Sequence, residues 1–266
     1  MAVLLLSWLL VSPFHGDLSV RIAEKTELIR TDPKNWLLYM QRGELHFQHE
    51  QPDSALLDYQ IALENHIDTS VIHVLTAEAF LALGDFNAGL DQIDLFLELE
   101  PADLKGIHTR GKLLEASGRF TEAATDFEHV IGHTTESRPQ DHVQLADLYL
   151  KMDGDDFDRA IRTLERGIQQ IGEIVSLQMK IYELEKQRRN YAAAHVLLDR
   201  MMEPLSRKER LMVEKAELFA AEGKPMEAAQ LLLDAESAIS ALPIRFQNIG
   251  ATVKLKEKIE HLKQKI

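Results

Sequence analysis

Residues 104–133, LKGIHTRGKLLEASGRFTEAATDFEHVIGH, decide the fold of this chain. Between Leu104 and Ala116 the apolar residues recur at steps of three and four rather than two, which sets Ile107, Gly111 and Leu114 on one face of a helix. Gly118-Arg119-Phe120 interrupts that pattern, and a second helical face of Ala123, Phe127 and Val130 follows. The two faces predict a pair of packed helices, with Gly118 ending the first in a left-handed conformation that costs glycine little. Glycines at 84, 154 and 223 are expected to end first helices in the same way.

Self-comparison extends this hairpin along the chain. At one fixed offset Pro33 meets Pro101, Gly43 meets Gly111, Ala55 meets Ala123 and Tyr59 meets Phe127. At half that offset Gly43 meets Ala77, Ala55 meets Gly89 and Tyr59 meets Ile93. Small residues fall on small, and large apolar residues on large. The small ones have a steric purpose: Gly43 and Ala55 let two helix backbones approach, while Tyr39 and Tyr59 fill the space around that contact. A large side chain at Gly43 or Ala55 is expected to splay the hairpin.

This spacing and these residues resemble the tetratricopeptide repeat, a helix-turn-helix unit of about 34 residues, which is the shorter of the two offsets. Its pattern has a small residue at the eighth position, alanine at the twentieth, an aromatic at the twenty-fourth and proline at the thirty-second. Gly43, Ala77, Gly111, Ala146 and Ala216 match the eighth position, Ala55, Ala123, Ala160 and Ala228 the twentieth, and Pro33 and Pro101 the thirty-second. The resemblance covers residues 17–243. Gly89 replaces alanine in the second unit, the fourth has two extra residues in its Asp153–Asp156 turn, and the fifth matches only loosely. What the resemblance implies is an all-α fold, a right-handed superhelical α-solenoid of antiparallel helix pairs. The expected divisions are a partial repeat at 17–35, units at 36–69, 70–103, 104–138, 139–173, 174–208 and 209–243, and a capping helix at 244–266.

Composition narrows the function classes. The 266 residues contain no cysteine, which removes disulfides, thiolate metal sites and a cysteine nucleophile. The net charge of −13 argues against nucleic acid as a partner, since phosphate binding needs a basic face. Within residues 250–266, Lys254, Lys256, Lys258, Lys263 and Lys265 against Glu257 and Glu260 give +3, leaving −16 for the rest of the chain. A basic closing helix suits a cap on an acidic array, because each repeat buries its apolar face only against its neighbours.

Residues 2–12, AVLLLSWLLVS, form an uncharged apolar run of 11 residues, short of the roughly 20 needed to span a bilayer. The length fits the apolar core of a secretory signal within residues 1–16, although no Lys or Arg precedes it and no small-x-small cleavage site is evident. The other reading is an apolar first helix packed on the body. Export to the periplasm, cell envelope or exterior is the expectation, with the cytoplasm as the location if this leader is not a signal.

Signals for catalysis are weak. His46-x-x-His49 could present two imidazoles to a metal, but no carboxylate stands at a spacing that would complete a tetrahedral set. His108, His129, His133 and His142 have no motif and are expected on the polar surface. Asp153-Gly154-Asp155-Asp156-Phe157-Asp158 has calcium-like chemistry but enters a helix at once, so a turn glycine with Asp156 as helix cap explains it more simply. The phosphate-loop, nucleophile-elbow, dinucleotide and HExxH motifs are all missing. The expectation is a protein that is not an enzyme and has no cofactor, catalytic residue or bound metal.

In the repeat family the concave groove is lined by the second, fifth, ninth, twelfth and thirteenth positions of each first helix. Carried onto this chain, those positions give Leu37, Met40, Glu44 and Phe47, then Val71, Val74, Glu78 and Leu81, then Lys105, His108 and Lys112. The first two units would present an apolar strip with an acidic edge, and the third a basic patch. Such a groove suits an amphipathic peptide or helix of another protein. The alternative is that Val71, Val74 and Leu81 pack against neighbouring helices. Of the family's clamp for C-terminal carboxylates only Lys105 matches, since Glu44 and Leu75 stand where asparagines are needed. The leading expectation is a noncatalytic interaction scaffold. The alternatives are a metal- or calcium-binding protein or metal-dependent enzyme, and a structural spacer within an oligomer.

Overall fold

The computed structural model describes residues 13–65, 70–152 and 156–266. Among them all regular structure is helical: α1 Pro13–Thr31, α2 Trp36–Gln48, α3 Pro52–Asn65, α4 Ser70–Leu83, α5 Phe86–Leu99, α6 Leu104–Ala116, α7 Phe120–His133, α8 Pro139–Lys151, α9 Phe157–Ile171, α10 Val175–Gln187, α11 Tyr191–Met202, α12 Glu209–Ala221, α13 Pro225–Ser240, α14 Ile244–Gln247 and α15 Gly250–Lys263. The chain divides into two compact units, one ending at Thr135 and the other beginning at Glu136. The first packs α2 on α3, α4 on α5 and α6 on α7; the second packs α8 on α9, α10 on α11 and α12 on α13. Each unit is therefore an all-α solenoid segment of helical hairpins. α1 begins at Pro13, so the junction expected after residue 16 falls inside a helix, while residues 1–12 lie outside the described residues.

The turn inside the hairpins keeps one register. Gly84, Gly118 and Gly223 have φ of +81°, +82° and +78°. Glu50 and Arg189 adopt the same left-handed conformation, at +59° and +60°, in the equivalent turns. After each of these residues the next amide donates to the carbonyl five positions back, as in Asp85 to Phe80, Arg119 to Leu114 and Gln51 to His46, at 2.8–3.0 Å. This pairing satisfies carbonyls that the helix end leaves open. Gly154 lies outside the described residues. Helix starts are fixed by aspartates: Asp85, Asp103 and Asp156 accept from the amides of Ala88, Gly106 and Arg159 at 3.2, 2.7 and 2.9 Å. An acceptor at this position satisfies one of the four orphan amides of a helix start.

Close packing depends on the small residues. Ala55, Ala77, Ala123, Ala146, Ala160 and Ala228 are all completely buried. A Cβ on Gly43 would lie 2.5 Å from Cε1 of Tyr59, a fully buried ring, so even alanine forces a shift there. Tyr59 packs with Ile29, Tyr39, Ala62 and Ile72 in the core of the first unit. In the second unit Ala216, Leu232 and Ile239 pack with Ile259 and Leu262, which closes α15 onto α12 and α13. Charge reinforces that closure: Lys258 reaches Glu214 and Glu217 at 2.9 and 3.1 Å, and Lys263 reaches Glu236 at 2.5 Å. Burial raises the Glu217 carboxyl, but Lys258 and Lys186 outweigh it and hold the group below its ordinary range.

Two buried ion pairs tie consecutive helices of the first unit. Arg42 donates from Nε and Nη2 to both oxygens of Asp58 at 2.8 and 2.6 Å, and from Nη1 to the Thr26 hydroxyl at 3.1 Å. One guanidinium thus joins α1, α2 and α3. Arg110 repeats the arrangement, donating to Asp126 at 2.8 and 2.7 Å and approaching Asp94 at 3.7 Å, which joins α5, α6 and α7. The hydrogen bond to Asp58 raises the Arg42 pKa despite burial, and the bond to Asp126 does the same for Arg110. Both guanidinium groups therefore stay charged.

His142 departs furthest from the expected polar surface. His142 is completely buried rather than on the polar surface. Its Nδ1 lies 3.0 Å from the Thr163 carbonyl and its Nε2 2.7 Å from the Ser137 hydroxyl. A neutral ring that donates from Nδ1 and accepts at Nε2 satisfies both contacts. The ring fits because Gly167 faces it: a Cβ there would lie 2.8 Å from the imidazole Cγ.

Candidate functional site

The first helices of the first unit meet one another in sequence, α2 with α4 and α4 with α6, and so form a continuous layer. The second position of each helix falls on Leu37, Val71 and Lys105, one repeat apart. All three are exposed, Leu37 at 40% and Val71 at 43%. Isolated apolar side chains on a surface are ordinary, whereas two in register on adjoining helices begin a strip. Glu44 and Glu78 border that strip and are partly buried. Both raise the pKa of the Tyr59 hydroxyl beyond what burial alone does.

Other sequence-predicted positions are not available in the same way. Val74 is 3% exposed and belongs to the core, so the expectation that it lines an open groove is corrected. The reason is register: on α4, Val74 follows Ile72 and precedes Ala77, on the side that faces neighbouring helices. Met40 and Phe47 are partly buried and pack against the core of the first unit. Leu81 is partly buried. His108 sets its ring edge-on against Phe127, with centroids 5.3 Å apart. Lys105 Nζ lies 3.3 Å from Glu78, so the basic patch and the acidic edge partly neutralise each other across α4 and α6. With the lysine side chain 63% exposed, that bridge is easily exchanged for a partner's carboxylate. Lys112 is exposed and has no ion pair among the described residues.

The histidines singled out for metal binding have other partners. His46 Nδ1 lies 2.8 Å from Gln51, and its Nε2 is 4.0 Å from Asp58. His49 Nε2 lies 3.0 Å from the Ser19 hydroxyl. No group of three or more metal-capable side chains assembles among the described residues. No helix among them is long and apolar enough to cross a membrane.

Sequence reasoning missed the two arginine clamps and the buried His142. The clamps had a signal: Arg42 recurs as Arg110, and Asp58 as Asp126, at the same offset that carries Gly43 onto Gly111. That offset also carries Thr26 onto Asp94, so the third partner of each clamp keeps its place while its residue type changes. His142 had none, because its burial depends on Gly167 in the facing helix.

No protein-family model matches the chain. No curated protein matches it either. Solved structures do. A tetratricopeptide repeat protein from Parabacteroides merdae is 19% identical over 92% of this chain and 93% of its own, with a TM-score of 0.57. The C-terminal part of a TPR repeat-containing protein from Cytophaga hutchinsonii is 12% identical over 91% and 94%, with a TM-score of 0.69. PilF of Pseudomonas aeruginosa is 17% identical over 81% and 96%, with a TM-score of 0.54. At these identities the likeness is one of fold.

Proposed function

Taking the tetratricopeptide-repeat fold of this chain as premise, we propose that it is a noncatalytic scaffold that holds a peptide or helix of another protein against the first-helix layer of α2, α4 and α6. The observation that carries this reading is the exposure of Leu37 and Val71 at one position of successive helices, with Lys105 next in the row. An apolar side chain of the partner lies across Leu37 and Val71, and an acidic group takes Lys105 from Glu78 or pairs with Lys112. Leu37→Asp plus Val71→Asp tests it by pull-down from the native source. Loss of the partner with unchanged helical content is the expected result; undiminished recovery overturns the assignment. Val74→Asp is unsuitable, since a buried charge there would test folding instead.

The apolar run of residues 2–12 supports a place in an exported or envelope assembly. N-terminal sequencing of the mature chain decides this, and an intact Met1 refutes export.

A further inference from the structure

The α10–α11 hairpin differs from its neighbours at its point of closest approach. One repeat before Ala216, where a small residue lets helices meet, α10 carries the fully buried Tyr182. Its hydroxyl donates to the Glu214 carbonyl of α12 at 3.3 Å, and α10 and α11 approach over a shorter stretch than α8 and α9 or α12 and α13. Between the start of α10, the end of α11 and the start of α12 lies a cleft of ≈ 630 Å³. That is within the roughly 300–1,000 Å³ of ligand-binding clefts. Its wall is apolar, with Val175 62% and Leu205 41% exposed and Met179 also in the lining, where a methionine adapts to varied side chains.

The rim carries charge of both signs, with arginine in excess. Arg200, Arg207 and Arg210 face Glu173 and Glu203 around the cleft, in a chain with 30 basic and 43 acidic residues. Arg207 is committed to Glu209, Nε to carboxylate oxygen at 2.7 Å, and Glu173 accepts from Gln178. Arg200 and Arg210 have no hydrogen-bond or ion-pair partner among the described residues. A guanidinium beside an apolar wall is suited to a carboxylate, which it can bind through two parallel hydrogen bonds.

We propose that this cleft is a second docking site, for a segment of a partner protein in which a large apolar side chain is flanked by aspartate or glutamate. The apolar side chain enters among Val175, Met179 and Leu205, and the flanking carboxylates pair with Arg200 and Arg210. Buried apolar anchors ringed by arginine are the arrangement in which a few contacts carry most of the binding energy. The site shares no residue with the first-helix layer of the first unit, so the two proposals fail independently.

The probes are fluorescent peptides of about nine residues with a central leucine or phenylalanine, flanked by acidic, neutral or basic residues, titrated into the full chain and read by polarisation. Acidic flanks are expected to bind about ten-fold or more tightly than neutral ones, and raising salt from about 50 to about 500 mM to remove most of that advantage. Arg200→Glu and Arg210→Glu, singly and together, should weaken the acidic peptide, the pair by about ten-fold or more, while the two lysine replacements retain most of the binding. Leu37→Asp plus Val71→Asp should leave it unchanged. Absence of an acidic preference, or charge reversal without effect in a protein of unchanged helical content, overturns the proposal. So does displacement of the peptide by dodecanoate at equal concentration, which would mark a site for amphiphilic small molecules.

Discussion

Asp58→Asn is the substitution that isolates the clamp joining α1, α2 and α3. Asp58 is 3% exposed, and it accepts two hydrogen bonds from an Arg42 whose side chain is 18% exposed. Removing one member of a buried ion pair costs about 3–5 kcal/mol, chiefly because the other charge is stranded. Arg42 keeps its bond to Thr26 and some solvent, and the asparagine oxygen can still accept one bond, so the expected loss is about 2–3 kcal/mol. Arg42→Met should cost about as much or more, since Asp58 would then have only His46 nearby, at 4.0 Å. The double variant Arg42→Met plus Asp58→Leu strands neither charge and should lie within about 1 kcal/mol of the parent. With Asp58→Leu as the second single, which strands Arg42 more completely than asparagine does, the cycle closes and predicts a coupling of several kcal/mol. Arg119 and Glu122 supply the control: they form the same two-bond pair, but their side chains are 49% and 56% exposed. Glu122→Gln should cost much less than Asp58→Asn, because solvent screens the exposed pair. Stability is read by urea unfolding, and protection of α1–α3 amides by hydrogen exchange, because repeat proteins lose structure locally. A coupling below about 0.5 kcal/mol, or equal costs for Asp58→Asn and Glu122→Gln, would refute the claim that burial gives the clamp its strength.

Two further predictions concern strain and pH. Glu50→Gly and Arg189→Gly remove side chains from left-handed turns; each should raise stability by a few tenths to about 1 kcal/mol, whereas Gly118→Ala should lower it. Urea midpoints measure this, and destabilisation by both glycine variants would sink it. Burial lowers the His142 pKa from its ordinary 6.5, more than the bond to Thr163 raises it. The unfolded chain therefore binds a proton that the folded chain resists, and stability falls as pH drops through 6.5. His142→Gln should flatten the urea midpoint between about pH 7.5 and 5.5, and an undiminished slope in that variant would assign the dependence elsewhere.

What was legible in the sequence follows from what packing demands of single positions. Gly43 and Ala55 could be read because a hairpin contact admits only small residues, and such a constraint recurs wherever the contact recurs. The left-handed turn was read from glycine at 84, 118 and 223, yet Glu50 and Arg189 hold the same conformation. A turn fixed from both sides by helices can impose a backbone that its residue does not favour. Val74 was misplaced because a position number assigns a face without saying how far the neighbouring helix overlaps it. The cleft beside Met179 was invisible for a related reason. A poor match to the repeat announces that packing changes, but the change takes a shape only when three helices are set around it.

The clamps alternate. At the positions that hold Arg42 and Asp58, the intervening repeat has Thr76, whose hydroxyl turns back to the Ile72 carbonyl, and Gln92, which meets His73. That repeat supplies no guanidinium clamp of its own and lies between two repeats that each grasp the helix behind them. The natural module of this region is therefore a pair of repeats, one that grips and one that is gripped. Lengthening it by duplication of the whole pair would preserve the alternation, whereas inserting a single repeat would set two of the same kind side by side. An engineered array should accept new segments in even numbers more readily than in odd.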